Sequence, residues 1–261
     1  MNYLKQPIFV KQAVLFFAFL TISQICFSQK ADSTKAVTQF SGLVTVTNNG
    51  ISVIPTFNLV KPGTTIGKPA AIFDLVVKKK RLSFEPQFRF ALEEIKPWSF
   101  IFWMRYKLVQ TEKFKMGIGA HPSTVFGQTT ALVNGVSKDL ITVKRFWAGE
   151  LSNSYSFSKN ISFIAYYLYS RGLADATRNT NFVQLGFNFS HIGLGGDYFL
   201  KMSPQIYYLQ MDAKTGYYAT SSFTLAKRNL PFTISSIVNK KIRSSIPSKD
   251  FLWNVSLAYA F

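Results

Sequence analysis

From about residue 37 to its last residue the chain repeats one pattern: segments of roughly ten residues with an apolar side chain at every second position, separated by polar breaks. In 81–90, Leu82, Phe84, Pro86, Phe88 and Phe90 alternate with Arg81, Ser83, Glu85, Gln87 and Arg89. In 98–108, Trp98, Phe100, Phe102, Met104, Tyr106 and Leu108 oppose Ser99, Arg105 and Lys107, with Ile101 and Trp103 as apolar exceptions on the wet side. In 113–121, Phe114, Met116, Ile118 and Ala120 oppose Lys113, Lys115, Gly117, Gly119 and His121; in 183–190, Val183, Leu185, Phe187 and Phe189 oppose Gln184, Gly186, Asn188 and Ser190. Successive side chains on a strand point to opposite faces, so each segment predicts a strand with one greasy and one wet face.

Fourteen such segments can be marked: 37–47, 51–60, 69–78, 81–91, 97–109, 113–121, 123–133, 140–153, 159–170, 181–190, 200–211, 216–226, 231–239 and 251–261. Asn48-Asn49-Gly50 is a strong tight-turn signal, and Ser158-Lys159-Asn160 and Arg228-Asn229 read as short turns. Alternation weakens in 123–133 and slips in 200–211, so twelve strands fit as well as fourteen. Sustained helical periodicity is missing, and past the N-terminal segment no apolar stretch is long enough for a transmembrane helix.

A soluble sandwich also alternates. Rings near the ends of the apolar rows (Trp98, Tyr106, Tyr167, Tyr169, Tyr207, Tyr208, Tyr217, Tyr218) favour a membrane wall instead, because amphipathic aromatics collect at the bilayer interface. Lipid cannot satisfy an open strand edge, so the sheet must close. The expected fold is all-β: a transmembrane antiparallel up-and-down β-barrel of 12 or 14 strands. A soluble periplasmic β-sandwich is the competing architecture.

The N-terminus changes the picture by supplying a route. Lys5 and Lys11 precede the uncharged run Ala13–Leu20, and Cys26-Phe27-Ser28 places small residues where a signal peptidase reads. Residues 1–28 are expected to be a cleaved signal peptide and 29–261 the barrel. Cys26 is the only cysteine, and Gln24 and Ile25 before it do not suit lipidation, so the mature chain holds no thiol and no disulfide. Aromatics at 16%, with 26 Phe, exclude a disordered chain. The formal charge of +18 points to anionic partners. No basic motif of nucleic-acid character appears, so no nucleic acid is expected.

At the other end, Trp253, Val255, Leu257, Tyr259 and Phe261 alternate with Asn254, Ser256, Ala258 and Ala260, and the sequence stops on Phe261. These ten or so residues resemble the terminal strand of Gram-negative outer-membrane barrel proteins, whose last residue is typically aromatic. The resemblance implies an outer-membrane location after export through the periplasm. It also implies recognition of this strand by the barrel-insertion machinery, and contact with outer-membrane lipid and lipopolysaccharide.

In such a barrel the wet face of the early strands lines the interior. It would carry Asp74, Lys78, Arg81, Glu85, Arg89, Arg105, Lys107, Lys113 and Lys115, with His121. A surplus of fixed positive charge favours small anions in a pore. The same Arg and Glu spacing equally suits cross-paired side chains that fill a closed barrel. The function expected is therefore passive: a small porin-like pore with a basic lumen, or a closed structural barrel. The basic runs Lys78-Lys79-Lys80-Arg81 and Lys240, Lys241, Arg243 and Lys249 are expected on extracellular loops, and Gly193-Leu194-Gly195-Gly196 at a periplasmic turn or bulge.

One enzymatic alternative exists. His121-Pro122-Ser123 places His and Ser on one face of a strand, which is similar to the pair in outer-membrane phospholipase A and lipid A deacylase. That resemblance implies Ser123 as nucleophile and His121 as general base of a lipid-modifying hydrolase. The pattern departs after Ser123, where Thr124-Val125 replace the Asn of those enzymes. Pro122 reads as a strand-ending turn, and nothing in the sequence ties Glu150 to the pair. His191 reads as a turn or interfacial residue. With two His and no mature Cys, neither a metal site nor a cofactor is expected.

Overall fold

In the computed structural model, which describes residues 37–51, 68–133, 136–174 and 176–261, the alternating segments become strands of one closed sheet. They are β1 (Gln39–Thr47), β2 (Ala70–Lys79), β3 (Leu82–Ala91), β4 (Lys96–Gln110), β5 (Phe114–Val133), β6 (Val136–Ser156), β7 (Ile161–Leu173), β8 (Asn179–Gly195), β9 (Tyr198–Met211), β10 (Lys214–Lys227), β11 (Phe232–Ser244) and β12 (Phe251–Ala260). Each strand pairs antiparallel with its neighbours in sequence, and β1 pairs with β12, Leu43–Thr47 lying against Ser256–Ala260. The fold is thus a closed twelve-stranded up-and-down barrel. The expected signal peptide 1–28 lies outside the described residues.

The pleat sorts the side chains as the sequence pattern requires. On β12, Leu252, Asn254, Ser256 and Ala258 are buried inward, while Phe251, Trp253, Val255, Leu257 and Tyr259 are exposed on the outer wall. The same holds on β8, where Thr180, Phe182, Gln184 and Gly186 face in and Val183, Leu185 and Phe187 face out. A strand of about nine to eleven residues, half of them facing out, is what a hydrocarbon core about 30 Å thick demands of tilted strands. A soluble sandwich would have hidden these rows between two sheets; here they form one continuous apolar wall.

Two strand assignments need correction. Segments 113–121 and 123–133 form the single strand β5, and Pro122 sits within it, facing outward. The ladder between β4 and β5 runs to Ile101↔Ser123 and resumes at Met104↔Ala120, so the positions opposite Pro122 are skipped. A proline has no N–H to give, and the sheet accommodates it by omitting that rung. Nor does Asn48-Asn49-Gly50 close a hairpin onto 51–60: Thr47 faces Ala70, and β1 pairs directly with β2. Of the expected strand 51–60, residues 52–60 lie outside the described residues.

Two ends follow. The termini end carries Gln39, Phe261 and the connections at 80–81, 111–113, 157–160, 196–197 and 228–231. The loop end carries those at 48–69, 92–95, 134–135, 174–178, 212–213 and 245–250. The basic run at Lys78–Arg81 therefore lies at the termini end, opposite to expectation; of the second group, Lys240, Lys241 and Arg243 belong to β11 near its loop end, and only Lys249 lies in the loop itself. Because β1 pairs directly with β2, the directions of β2, β3 and β4 are the reverse of those expected; the merging of two segments at Pro122 restores the direction of the strands that follow. The glycine-rich segment ends β8 in bulges and a tight turn at the termini end, with Gly195 and Gly196 at φ 102° and 54°. His191 stands within β8, stacked on Phe199 at 4.6 Å, and not at a turn.

Candidate functional site in the barrel lumen

Register places Asp74, Lys78, Glu85, Arg89, Arg105, Lys107, Lys115 and His121 on the inward row, opposite inward partners on adjacent strands. Arg81 and Lys113 are not on the lumen wall; they sit in turns at the termini end, where Arg81 Nη1 donates to the Leu108 carbonyl at 3.3 Å. Their alternation ran one residue beyond the strand, where the pleat no longer sets direction.

The lumen is layered. Toward the termini end Lys78, Lys107 and Lys115 line the β2–β5 side, and Lys201 the inward row of β9, all half-buried or exposed. Above them lies a connected polar layer. Arg105 donates through Nε and Nη2 to the two oxygens of Glu150, at 2.6 and 3.2 Å, and pairs through Nη1 with Glu85. Tyr166 donates to Glu150 at 2.7 Å and Ser83 to Glu85 at 2.6 Å. The guanidinium lies 4.2 Å from the centre of the Trp103 ring, and His121 packs against the same ring at 4.1 Å.

Beside this network runs an apolar layer that the wet-face reading did not anticipate. Ile101, Trp103, Ala148, Leu168, Phe182, Tyr207, Leu209, Tyr218 and Ile246 form one buried cluster reaching from β4 to β10 and the 245–250 loop. Tyr207 and Tyr218 stack at 4.8 Å, and Asn239 donates to the Tyr207 hydroxyl at 2.6 Å. Phe182 and Leu209 are 0% exposed and Ile101 1%. A lumen-facing side chain beside a water column would be wetted by it, so at this level the barrel is filled. Tyr207 and Tyr218 therefore belong to the interior and not to an interfacial girdle. Trp98, at the β3–β4 bulge, is buried against Gly50 and is not in the girdle either. Tyr106, Tyr167, Tyr169 and Tyr217 do face outward and are exposed.

His121 and Ser123 are both buried and inward. Neither His121 Nδ1 nor Ser123 Oγ has a hydrogen-bond partner among the described residues, as is also true of Ser99 Oγ and Asp74 Oδ1. The Ser–His bond that activates a nucleophile is not formed, and Glu150 is committed to Arg105 and Tyr166. Among the described residues no three His, Cys, Asp or Glu side chains gather as a metal site.

No protein-family model and no curated protein matches the sequence. Solved structures do. One is the KdgM porin, in the presence of disordered oligogalacturonate: 9% identity, TM-score 0.52, over 86% of this chain and 99% of that one. Another is an outer membrane channel from Pseudomonas putida F1: 10% identity, TM-score 0.54, over 90% of this chain and 98% of that one. The fold is thus that of an outer-membrane β-barrel.

Proposed function

We propose that the chain is a narrow outer-membrane channel for small anions, closed at its middle in this conformation and entered through a basic vestibule. Export by the N-terminal signal peptide and residence in the outer membrane belong to this reading, with the termini end periplasmic. The 245–250 loop then faces outward, the side on which such barrels carry their longer connections. The observation that carries the proposal is the filled layer at Phe182, Leu209 and Ile101 directly above the lysine-lined cup. The names of the porin and the channel with the same fold support a conducting role over a purely structural one.

Conductance across planar bilayers under a salt gradient tests it. The natural chain is expected to pass small, rare, anion-selective currents, and the Phe182→Ala/Leu209→Ala pair larger and more frequent ones with the same selectivity. Silence from the truncated pair while the barrel remains folded, or a preference for cations, refutes the channel.

A further inference from the structure

We propose that Arg145 and Arg171, on the outer wall of β6 and β7, clamp the phosphate of an anionic lipid headgroup in the leaflet at the loop end. The register sets Trp147 opposite Arg171 and Arg145 opposite Leu173. The two arginines are therefore diagonal cross-strand neighbours on one face, within joint reach of a single group. That face is the outer wall: Trp147 is 58% exposed, and Leu173 and Tyr169 share its row.

Depth is fixed by the neighbours. The outward row of β7 is apolar from Ile161 to Tyr167, and the hydroxyls of Tyr167 and Tyr169 donate to Asn181 and Asn179 on β8, each at 2.8 Å. On β7 the purely apolar row gives way to amphipathic rings at these tyrosines, and the arginines follow, with Leu173 beyond them on β7 and Val143 and Ile141 beyond them on β6. Arg171 comes next on its strand, at headgroup level, with the Trp147 ring beside it as an interfacial anchor.

Charge decides the occupant. Where a carboxylate is within reach the barrel's cations take it: Arg105 holds Glu85 and Glu150, Lys68 pairs with Glu93, and Lys241 with Asp250 at 2.6 Å. Asp74, Glu85 and Glu150 all face the lumen. No described carboxylate pairs with Arg145 or Arg171, which stand exposed on the apolar wall. Two planar forks at this level match the geometry of a phosphate oxygen set, with Trp147 and Leu173 against the lipid's apolar part. Continuity with the hydrocarbon-facing wall favours a lipid phosphate over a free ion. The inference rests on the membrane-spanning reading above.

The test uses the full chain with Trp253→Phe, which leaves Trp147 as the exposed indole because Trp98 and Trp103 are buried. It is reconstituted in phosphatidylcholine vesicles with or without phosphatidic acid, either lipid carrying brominated chains that quench tryptophan. Brominated phosphatidic acid is expected to win the site over brominated phosphatidylcholine by about fivefold per arginine. Arg145→Gln/Arg171→Gln should reduce that preference to near unity, while Arg228→Gln at the termini end leaves it intact and inorganic phosphate does not compete. Equal quenching by both lipids, or a preference that survives the double substitution, overturns the clamp but leaves the barrel in the membrane. No quenching by either lipid overturns the clamp together with the membrane reading.

Discussion

Arg105 on β4 reaches past β5 to Glu150 on β6, Nε to Oε1 at 2.6 Å, over a strand that offers only glycine at that level. The intervening residue is Gly119, and a Cβ there would come within 2.7 Å of the Glu150 carboxylate. The sequence thus leaves a gap through which two charged side chains meet, and the meeting closes off part of the lumen.

Removing one partner should be costly. Glu150→Gln leaves the guanidinium inside the barrel with Glu85 alone, and a buried pair broken on one side loses about 3 kcal/mol. Denaturant unfolding in detergent micelles should show that loss. Gly119→Ala should cost less and act by displacing the carboxylate.

The Tyr207–Asn239 bond is fully buried. Asn239→Leu strands the phenol hydroxyl beneath Tyr218, at a cost of about 1–3 kcal/mol. The companion change Tyr207→Phe on top of it should recover most of the loss, and a double-mutant cycle on unfolding free energies measures the coupling.

The 245–250 loop turns Ile246 into the apolar layer and is tied by Lys241, whose ammonium binds Asp250 and the Ser248 carbonyl. The Lys241 ammonium holds the Asp250 carboxyl below its ordinary 3.8. A carboxyl depressed on folding adds stability above its unfolded value and loses it as pH falls through the lower folded value. Hydrogen exchange at the Ile246 amide, which donates to the Ser244 hydroxyl, should therefore be slow at neutral pH and quicken only below about pH 3.8. Asp250→Asn should show the fast exchange at every pH.

Gly42 exchanges two backbone hydrogen bonds with Phe261, at 2.9 and 3.0 Å, and a Cβ at 42 would fall 2.3 Å from the Phe261 ring. Gly42→Val should loosen the seam between β1 and β12. The heat-dependent shift in gel mobility that marks a folded barrel should then occur at lower temperature than in the natural chain.

Strand existence and facing were legible because period-two alternation reports directly on which side of the wall a residue stands; β3, β8 and β12 behave as their sequences read. Strand count was less so. Pro122 looks like a boundary to local rules, yet β6 pairs straight through it and only the β4 ladder skips its rung, an arrangement invisible in β5 alone. The lumen was half legible. Lys78, Glu85, Arg105 and Lys107 do stand on the inward row that the alternation assigned them, and Ile101 and Trp103, marked as exceptions to the alternation, were the available signal of a dry interior layer. Their partners Phe182, Leu209 and Tyr207 come from strands far away in sequence, so no local pattern could announce that the exceptions meet. The Arg105–Glu150 pairing is hidden for the same reason, since only the register across Gly119 brings the two together.

The seam of β1 and β12 closes the described sheet on itself. Without either strand the sheet would keep two raw margins whose N–H and C=O groups oil cannot satisfy. The pairing of these two short segments is thus what lets the other ten strands share one solvent, because a ring has no rim to hide.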